Sequence, residues 1–153
     1  MMEIQDIALW LLAFALIIHT IEEGWLPEYE GKQSDWKALV FNRSLFLEYL
    51  PIFIFAIVLA AIGWHLPLLS GILPAIGLTH PVLDHVGLSW KTQHLRPGSW
   101  TGILLFFPLS VWFYIISNAQ NLLKPYELLI SGTIGLAISI WLFWMVEQDI
   151  QKG

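Results

Sequence analysis

The sequence predicts an all-α protein, a polytopic membrane bundle of about five transmembrane helices that form a single domain over residues 1–153. Three observations lead to this fold class. The chain is 57% hydrophobic and only 12% charged, whereas about 25% of the residues in an ordinary soluble domain are charged. Its nine tryptophans are typical of a protein with many anchors at the membrane–water interface. The third observation is a series of five long apolar segments.

Each segment contains about 17–23 residues, enough to cross about 30 Å of hydrocarbon at 1.5 Å per residue. We predict the segments at Ile4–Glu23, Ser44–Trp64, Leu68–Trp90, Ser99–Ile116 and Tyr126–Val146. The Pro97-Gly98 pair and Pro125 stand between segments, where such residues are typical of turns and of first helical turns. Because the N-terminus is acidic, unlike a secretory signal, the first segment is expected to be retained.

Two parts of the chain depart from this simple pattern. Helix-breaking residues interrupt the third segment, so a re-entrant element with four crossings in total is the main alternative; they are Gly71, Pro74, Gly77 and Pro81. In the polar loop after the first segment, Trp36–Phe41 is expected to form a short helix that lies in the membrane interface.

Composition also excludes several classes of function. The chain has no cysteine, which excludes disulfides and thiolate metal ligands. Its seven basic residues form no patch and its formal net charge is −5, so no nucleic acid partner is expected. The expected partners are the lipid bilayer and a lipid-like substrate.

The pentapeptide His19-Thr20-Ile21-Glu22-Glu23 ends the first segment, directly after an uninterrupted apolar run. On a helix, His19, Glu22 and Glu23 occupy positions i, i+3 and i+4, which share one face. An imidazole and two carboxylates beside hydrocarbon are costly to bury unless they pair or bind something. The motif is therefore the first candidate for a functional site, and a solvated helix end is the alternative.

Three further ionisable residues are expected at the depth of the motif. Glu48 lies near the start of the second segment, and Asp84 and His85 lie near the end of the third. Because antiparallel neighbours bring these ends together, four carboxylates and two imidazoles meet in one layer, and such intramembrane groups are functional candidates. The other histidines are not assigned to the layer: His80, one turn deeper on the face of Asp84, and the expected loop residues His65 and His94.

These residues predict a metal site with the candidate ligands His19, Glu22, Glu23, Glu48, Asp84 and His85. Glu23 and Glu48 are the candidate catalytic residues, as bases toward a bound water. Four carboxylates in one layer repel one another, and a bound cation offsets that surplus of negative charge better than packing does. Two imidazoles favour a divalent transition metal, Zn or Fe, over Mg or Ca, which prefer oxygen ligands.

Three chemistries remain open for this layer. A catalytic zinc site has three protein ligands and an open position for water. A di-iron carboxylate site needs the same numbers of carboxylates and histidines, although its usual order is Glu-x-x-His rather than His-x-x-Glu. In the third, no metal is bound, and a carboxylate pair and a histidine polarise water.

The motif also carries a family resemblance. His-Thr-Ile-Glu-Glu is an instance of His-x-x-Glu-Glu, and it is followed by His85, Pro97-Gly98 and another apolar segment. On these residues the chain resembles the HXXEE family of small bacterial membrane proteins. The resemblance implies a multi-helix membrane fold and an enzyme-like or metal-binding site, without a known reaction. It would place an asparagine four residues before His85, where this chain has Pro81, so Asp84 or His80 is expected to support the His85 ring.

The distribution of basic residues predicts the orientation. With five crossings, one side of the membrane receives Lys124 alone, and the other receives Lys32, Lys37, Arg43, Lys91, Arg96 and Lys152. By the positive-inside rule the second side is cytoplasmic. We therefore predict a multi-pass protein of the inner (cytoplasmic) membrane, with the N-terminus outside and the C-terminus inside.

The functional interpretation follows from the site and its location. A His/Glu site near the cytoplasmic headgroups favours a small, metal-dependent membrane enzyme. We expect it to act as a hydrolase or oxidoreductase on a lipid-like or acyl substrate. A transporter or proton relay is the first alternative, because chains of histidines and carboxylates also conduct protons. A non-catalytic scaffold subunit is the second.

Overall fold

The computed structural model of the chain describes residues 3–25 and 43–152, and it describes the side chains of residues 3–24 and 49–148. Every regular element within these ranges is helical, which confirms the all-α prediction. The predicted interfacial helix Trp36–Phe41 lies outside the described residues.

The first two predicted segments form long helices. α1 covers Ile4–Trp25, and α2 covers Arg43–Ile62 and is followed by a 3₁₀ turn, Gly63–His65. The ring of Tyr49 lies against Gly24. The start of α2 is therefore beside the end of α1, where the His-x-x-Glu-Glu motif lies.

The third predicted segment is helical along its whole length but changes its type of helix. It consists of α3 (Pro67–Ser70), α4 (Ile72–His80), a first π-helix (Pro81–Leu88) and α5 (Ser89–Thr92). The junction residues Gly71, Pro81 and Ser89 have right-handed helical dihedral angles, so the helical path continues across each junction. We call residues 67–92 the central rod, and it ends at Gln93, whose φ is 61°.

The last two predicted segments are also helical. The fourth consists of α6 (Ser99–Thr101), a second π-helix (Gly102–Phe106) and α7 (Phe107–Ala119), and the fifth is α8 (Pro125–Lys152). α8 begins at Pro125, as its position in the sequence predicted.

Three helical stretches in the described ranges are long and apolar enough to cross a membrane, and a fourth is apolar but shorter. The three are Ile4–Gly24, Ser99–Ala119 and Pro125–Gln148, and the shorter one is Tyr49–His65. These helices make a membrane location the natural interpretation of the fold. The crossing by the central rod stays a prediction.

Contacts between helix ends give the direction of each segment. The Glu22 carboxylate accepts a hydrogen bond from the backbone N–H of Thr101, so the end of α1 meets the start of α6. Lys91 forms an ion pair with Glu147, so the end of the central rod lies beside the end of α8. Consecutive segments therefore run in opposite directions, and several helix ends gather around the motif.

The hydrophobic core lies between α1, α2, α4, the second π-helix and α7. Its largest fully buried apolar side chains include Leu9, Leu12, Leu73, Phe106 and Phe113. Other large apolar side chains face outward, such as Phe14, Leu104, Ile115 and Leu129. An outward apolar surface of this extent suits contact with hydrocarbon rather than with water.

Small residues allow α4 and α8 to pack closely. A Cβ added at Gly135 of α8 would lie 3.0 Å from backbone atoms of both Ala75 and Ile76. The hydroxyls of Thr79 and Ser139 form a hydrogen bond of 2.7 Å across the same interface. Close approach of backbones at small residues, with polar side chains bonded between helices, is typical of packing in membranes.

We predict that Gly135→Ala lowers the thermal midpoint of the detergent-solubilised protein. The added methyl group meets backbone atoms of α4, which cannot rotate away, and overpacking of this kind costs about 1–3 kcal/mol. Gly132→Ala is the matched control, because a Cβ there meets nothing within 4 Å. Equal midpoints for the two variants would contradict the close packing of α4 on α8.

Candidate metal centre

The candidate site lies where the last turns of α1 face the first π-helix. The side chains of His19 and His85 are both buried. Nε2 of His19 lies 3.1 Å from Nε2 of His85 and 3.9 Å from a carboxylate oxygen of Glu23. Two ligand atoms at about 2.0–2.1 Å from a tetrahedral zinc are roughly 3.3 Å apart, so the two imidazoles have a spacing that suits a shared metal ion.

The first π-helix brings a third imidazole to the same place. His80 and His85 are five residues apart, and in an α-helix, at about 100° per residue, they would point to different faces. A π-helix has a longer turn, closed by i→i+5 hydrogen bonds, so residues five apart return to nearly the same face. The ring centroid of His80 accordingly lies 5.1 Å from that of His85 and 5.4 Å from that of His19.

Together these side chains form a group that could hold a metal ion. His19, Glu23, His80 and His85 each offer one ligand atom, and the four atoms lie within 4.8 Å of one another. We call this group the His3Glu cluster. The three imidazoles are buried, whereas the Glu23 side chain is 23% exposed.

Two ring nitrogens of the cluster have no partner in the part of the protein that the structure describes. Nδ1 of His80 and Nδ1 of His85 are buried and have no hydrogen-bond partner among the described residues. Most buried polar atoms in folded proteins have a partner, because an unpaired one costs free energy. A buried ring nitrogen without a partner, on a side chain of such a cluster, is an arrangement that a bound cation would satisfy.

The turn before α6 forms a wall of the cluster. Gly98 has a φ of 83°, and a Cβ added there would lie 2.8 Å from Cε1 of His85 and 3.0 Å from Cε1 of His19. One turn later, a Cβ at Gly102 would lie 3.2 Å from both rings. Glycine has two roles here. It adopts the left-handed conformation at Gly98, and its lack of a side chain lets the backbone approach the imidazoles.

Asp84 and Arg96 form a buried ion pair at the edge of the cluster. Oδ1 of Asp84 lies 3.3 Å from Nε of Arg96, and Oδ2 lies 4.0 Å from Nε2 of His80. Asp84 is fully buried, and the Arg96 side chain is only 13% exposed. Because Asp84 has a cationic partner of its own, its position suits orientation of the His80 ring rather than direct binding of a metal.

Glu22 points to a different part of the structure from Glu23. Its carboxylate accepts hydrogen bonds from both the backbone N–H and the hydroxyl of Thr101. It therefore lies outside the His3Glu cluster, although it was predicted as a ligand on the same helix face. The side chain of Glu48, predicted as a ligand and as a base, lies outside the described residues.

The sequence prediction and the structure share His19, Glu23 and His85. The missed member is His80, which was placed one turn too deep because the third segment was interpreted as a regular α-helix. The available signal was the spacing of His80 and His85 around Pro81, since five-residue spacing aligns two side chains only in a π-helix. A proline, which cannot donate a backbone hydrogen bond, begins that element.

The comparison with protein families identifies the same His-x-x-Glu-Glu motif. A family model described as "Protein of unknown function with HXXEE motif" matches residues 10–113, a range that contains the whole His3Glu cluster and its glycine wall. No curated protein matches the chain. No solved structure matches it either.

We predict that Gly98→Ala destabilises the protein more than Gly63→Ala. Both glycines have positive φ, 83° and 55°, so each alanine costs roughly 1–2 kcal/mol of backbone strain. Only the methyl group at residue 98 would also meet the rings of His19 and His85, because nothing lies within 4 Å at residue 63. Thermal unfolding of the two variants in detergent measures the difference, and equal losses would show that the wall does not touch the imidazoles.

Proposed function

The chain belongs to the HXXEE family, and we propose that it is a small membrane enzyme whose catalytic centre is a divalent transition metal bound by the His3Glu cluster. The observation that carries the proposal is the convergence of three buried imidazoles and one carboxylate, with their ligand atoms within 4.8 Å of one another. These groups come from α1 and from the central rod, which are far apart in sequence.

The ligand set favours zinc or iron. Three nitrogens and one oxygen, without sulfur, suit borderline metals, whereas Mg and Ca prefer oxygen ligands. A single metal ion fits better than a di-iron pair, because the cluster has one carboxylate while di-iron bundles are built around several. The buried position of the rings also limits the room for a second ion.

Within this proposal the four residues of the His3Glu cluster have different roles. The three imidazoles hold the metal, as in catalytic zinc sites with three protein ligands and an open fourth position. Glu23 is the more accessible member, so it is placed to act as a base toward a metal-bound water in a hydrolase, or as a fourth ligand in an oxidoreductase. Glu48 remains a second candidate base, because α2 begins beside the end of α1.

An apolar groove supports a lipid-like or acyl substrate. It has a volume of about 930 Å³ and lies along the central rod, between α7 and α8. Most of its lining is apolar, with Ala75, Leu78, Leu128, Leu129 and Leu136 among the residues. Thr79, the residue before His80, is part of the wall of the groove. An acyl chain bound in the groove would therefore extend toward the element that carries the imidazoles.

The proposal places the centre near the cytoplasmic face of the inner membrane. Lys91 and Arg96 belong to the end of the bundle that holds the cluster, and Lys124 belongs to the loop at the other end of α7. The excess of basic residues at the first end favours a cytoplasmic position for it, with the N-terminus outside and the C-terminus inside.

We predict that purified protein binds about one Zn or Fe ion per chain, and that His19→Ala and His80→Ala lower its metal content. Loss of one of the three imidazole ligands weakens binding, and a metal that binds only the folded state raises the thermal midpoint. The measurements are elemental analysis of detergent-purified protein and thermal unfolding with and without added metal.

His65→Ala and His94→Ala are the matched controls, because both residues are exposed and lie outside the cluster. They should keep the metal content of the wild type. Full metal content in His80→Ala would refute the four-residue site. If the wild type carries no metal and added Zn or Fe leaves its midpoint unchanged, the metal proposal fails and only acid–base chemistry without a metal remains.

A further inference from the structure

We propose that Thr101 and Glu22 form a positioning relay that orients His19 for metal binding, so that the two glutamates of the His-x-x-Glu-Glu motif have different roles. Glu23 faces the metal side of the imidazole, and Glu22 acts through Thr101 on its other side. This inference rests on the proposed metal site and adds positioning residues to it.

The contacts of Thr101 define the relay. Its hydroxyl donates a hydrogen bond to the Glu22 carboxylate. Its backbone N–H donates to the same oxygen at 2.8 Å. The hydroxyl oxygen also lies 3.1 Å from Nδ1 of His19. One threonine thus connects a carboxylate on α1 to an imidazole on the same helix.

Counting protons assigns the tautomer of His19. A threonine hydroxyl has one proton and two lone pairs. Because that proton is donated to the carboxylate of Glu22, the hydroxyl oxygen is left as an acceptor toward Nδ1 of His19. Nδ1 must therefore carry the ring proton, and Nε2 keeps its lone pair.

The lone pair at Nε2 is the one that the metal site requires. Nε2 of His19 is the atom that lies 3.1 Å from Nε2 of His85 and 3.9 Å from the Glu23 carboxylate. Metal-binding histidines usually donate their other ring N–H to an oxygen, which fixes the tautomer and the ring orientation. Here Thr101 is that oxygen, and the carboxylate of Glu22 polarises it.

A purely structural role for Glu22 is separable from the relay. Thr101 lies in the first turn after Gly98, where backbone N–H groups have no partner within the helix, and a carboxylate there caps the helix. That capping uses the backbone N–H of Thr101. The relay to His19 uses the hydroxyl, so removal of the hydroxyl alone distinguishes the two roles.

The experiment compares Thr101→Val with Thr101→Ser. Valine keeps the shape and the backbone N–H of the residue but removes the hydroxyl, whereas serine keeps both polar groups. We expect Thr101→Val to weaken Zn binding about 10–100-fold, as is typical when the partner of a ligating histidine is lost. Thr101→Ser should stay within about threefold of the wild type. Zn affinity is measured by competition with a chelator.

A second measurement does not depend on metal binding. Nitrogen-15 NMR of the metal-free wild type, labelled at histidine and assigned with His19→Ala, reports which ring nitrogen of His19 carries the proton. We expect the proton on Nδ1 in the wild type and in Thr101→Ser, and a loss of this preference in Thr101→Val.

Each result decides the inference. A proton on Nε2 of His19 in the wild type, or wild-type Zn affinity in Thr101→Val, overturns it. If no variant and no wild-type protein binds Zn, the proposed metal function fails, and the tautomer alone then decides the relay: a proton on Nδ1 that depends on the Thr101 hydroxyl supports it, and any other pattern overturns it.

Discussion

Burial of three imidazoles beside carboxylates at one end of an apolar bundle is the constraint on which the rest of the structure depends. Polar groups removed from water need partners, or their burial costs several kcal/mol. Here Asp84 pairs with Arg96, Glu22 bonds to Thr101, and the His3Glu cluster is left with ring nitrogens that face one another. A bound metal ion would complete this set of partners, and it would also join α1 to the central rod.

The elements around the cluster depart from regular α-helix at the positions where a regular α-helix would not bring the cluster together. The first π-helix aligns His80 with His85, and Gly98 allows the backbone to approach two rings. Both irregularities lie on the path of the chain from the central rod to α6. π-helical segments are rare and are frequent at functional sites, so their position beside the cluster agrees with a binding role.

Much of this fold could be predicted from the sequence, because apolar segment length and turn residues are local signals. The ends of α1 and the start of α8 at Pro125 followed from these local signals. The meeting of His19, Glu23 and His85 followed from the antiparallel arrangement of neighbouring segments. The role of His80 was missed, since it depends on a change of helix type that apolar periodicity does not reveal. Only the five-residue spacing of His80 and His85 around Pro81 signals it. The separation of Glu22 from Glu23 depends on Thr101, which is distant in sequence and carries no charge.

X-ray absorption spectroscopy of the metal-loaded wild type tests the central claim most directly. The His3Glu cluster predicts a first shell of nitrogen and oxygen at about 2.0–2.1 Å, together with the outer-shell scattering of three imidazole rings and no sulfur contribution. A loaded metal with only oxygen ligands, or with the scattering of one imidazole or none, would contradict the account, because the metal would then bind somewhere other than His19, His80 and His85.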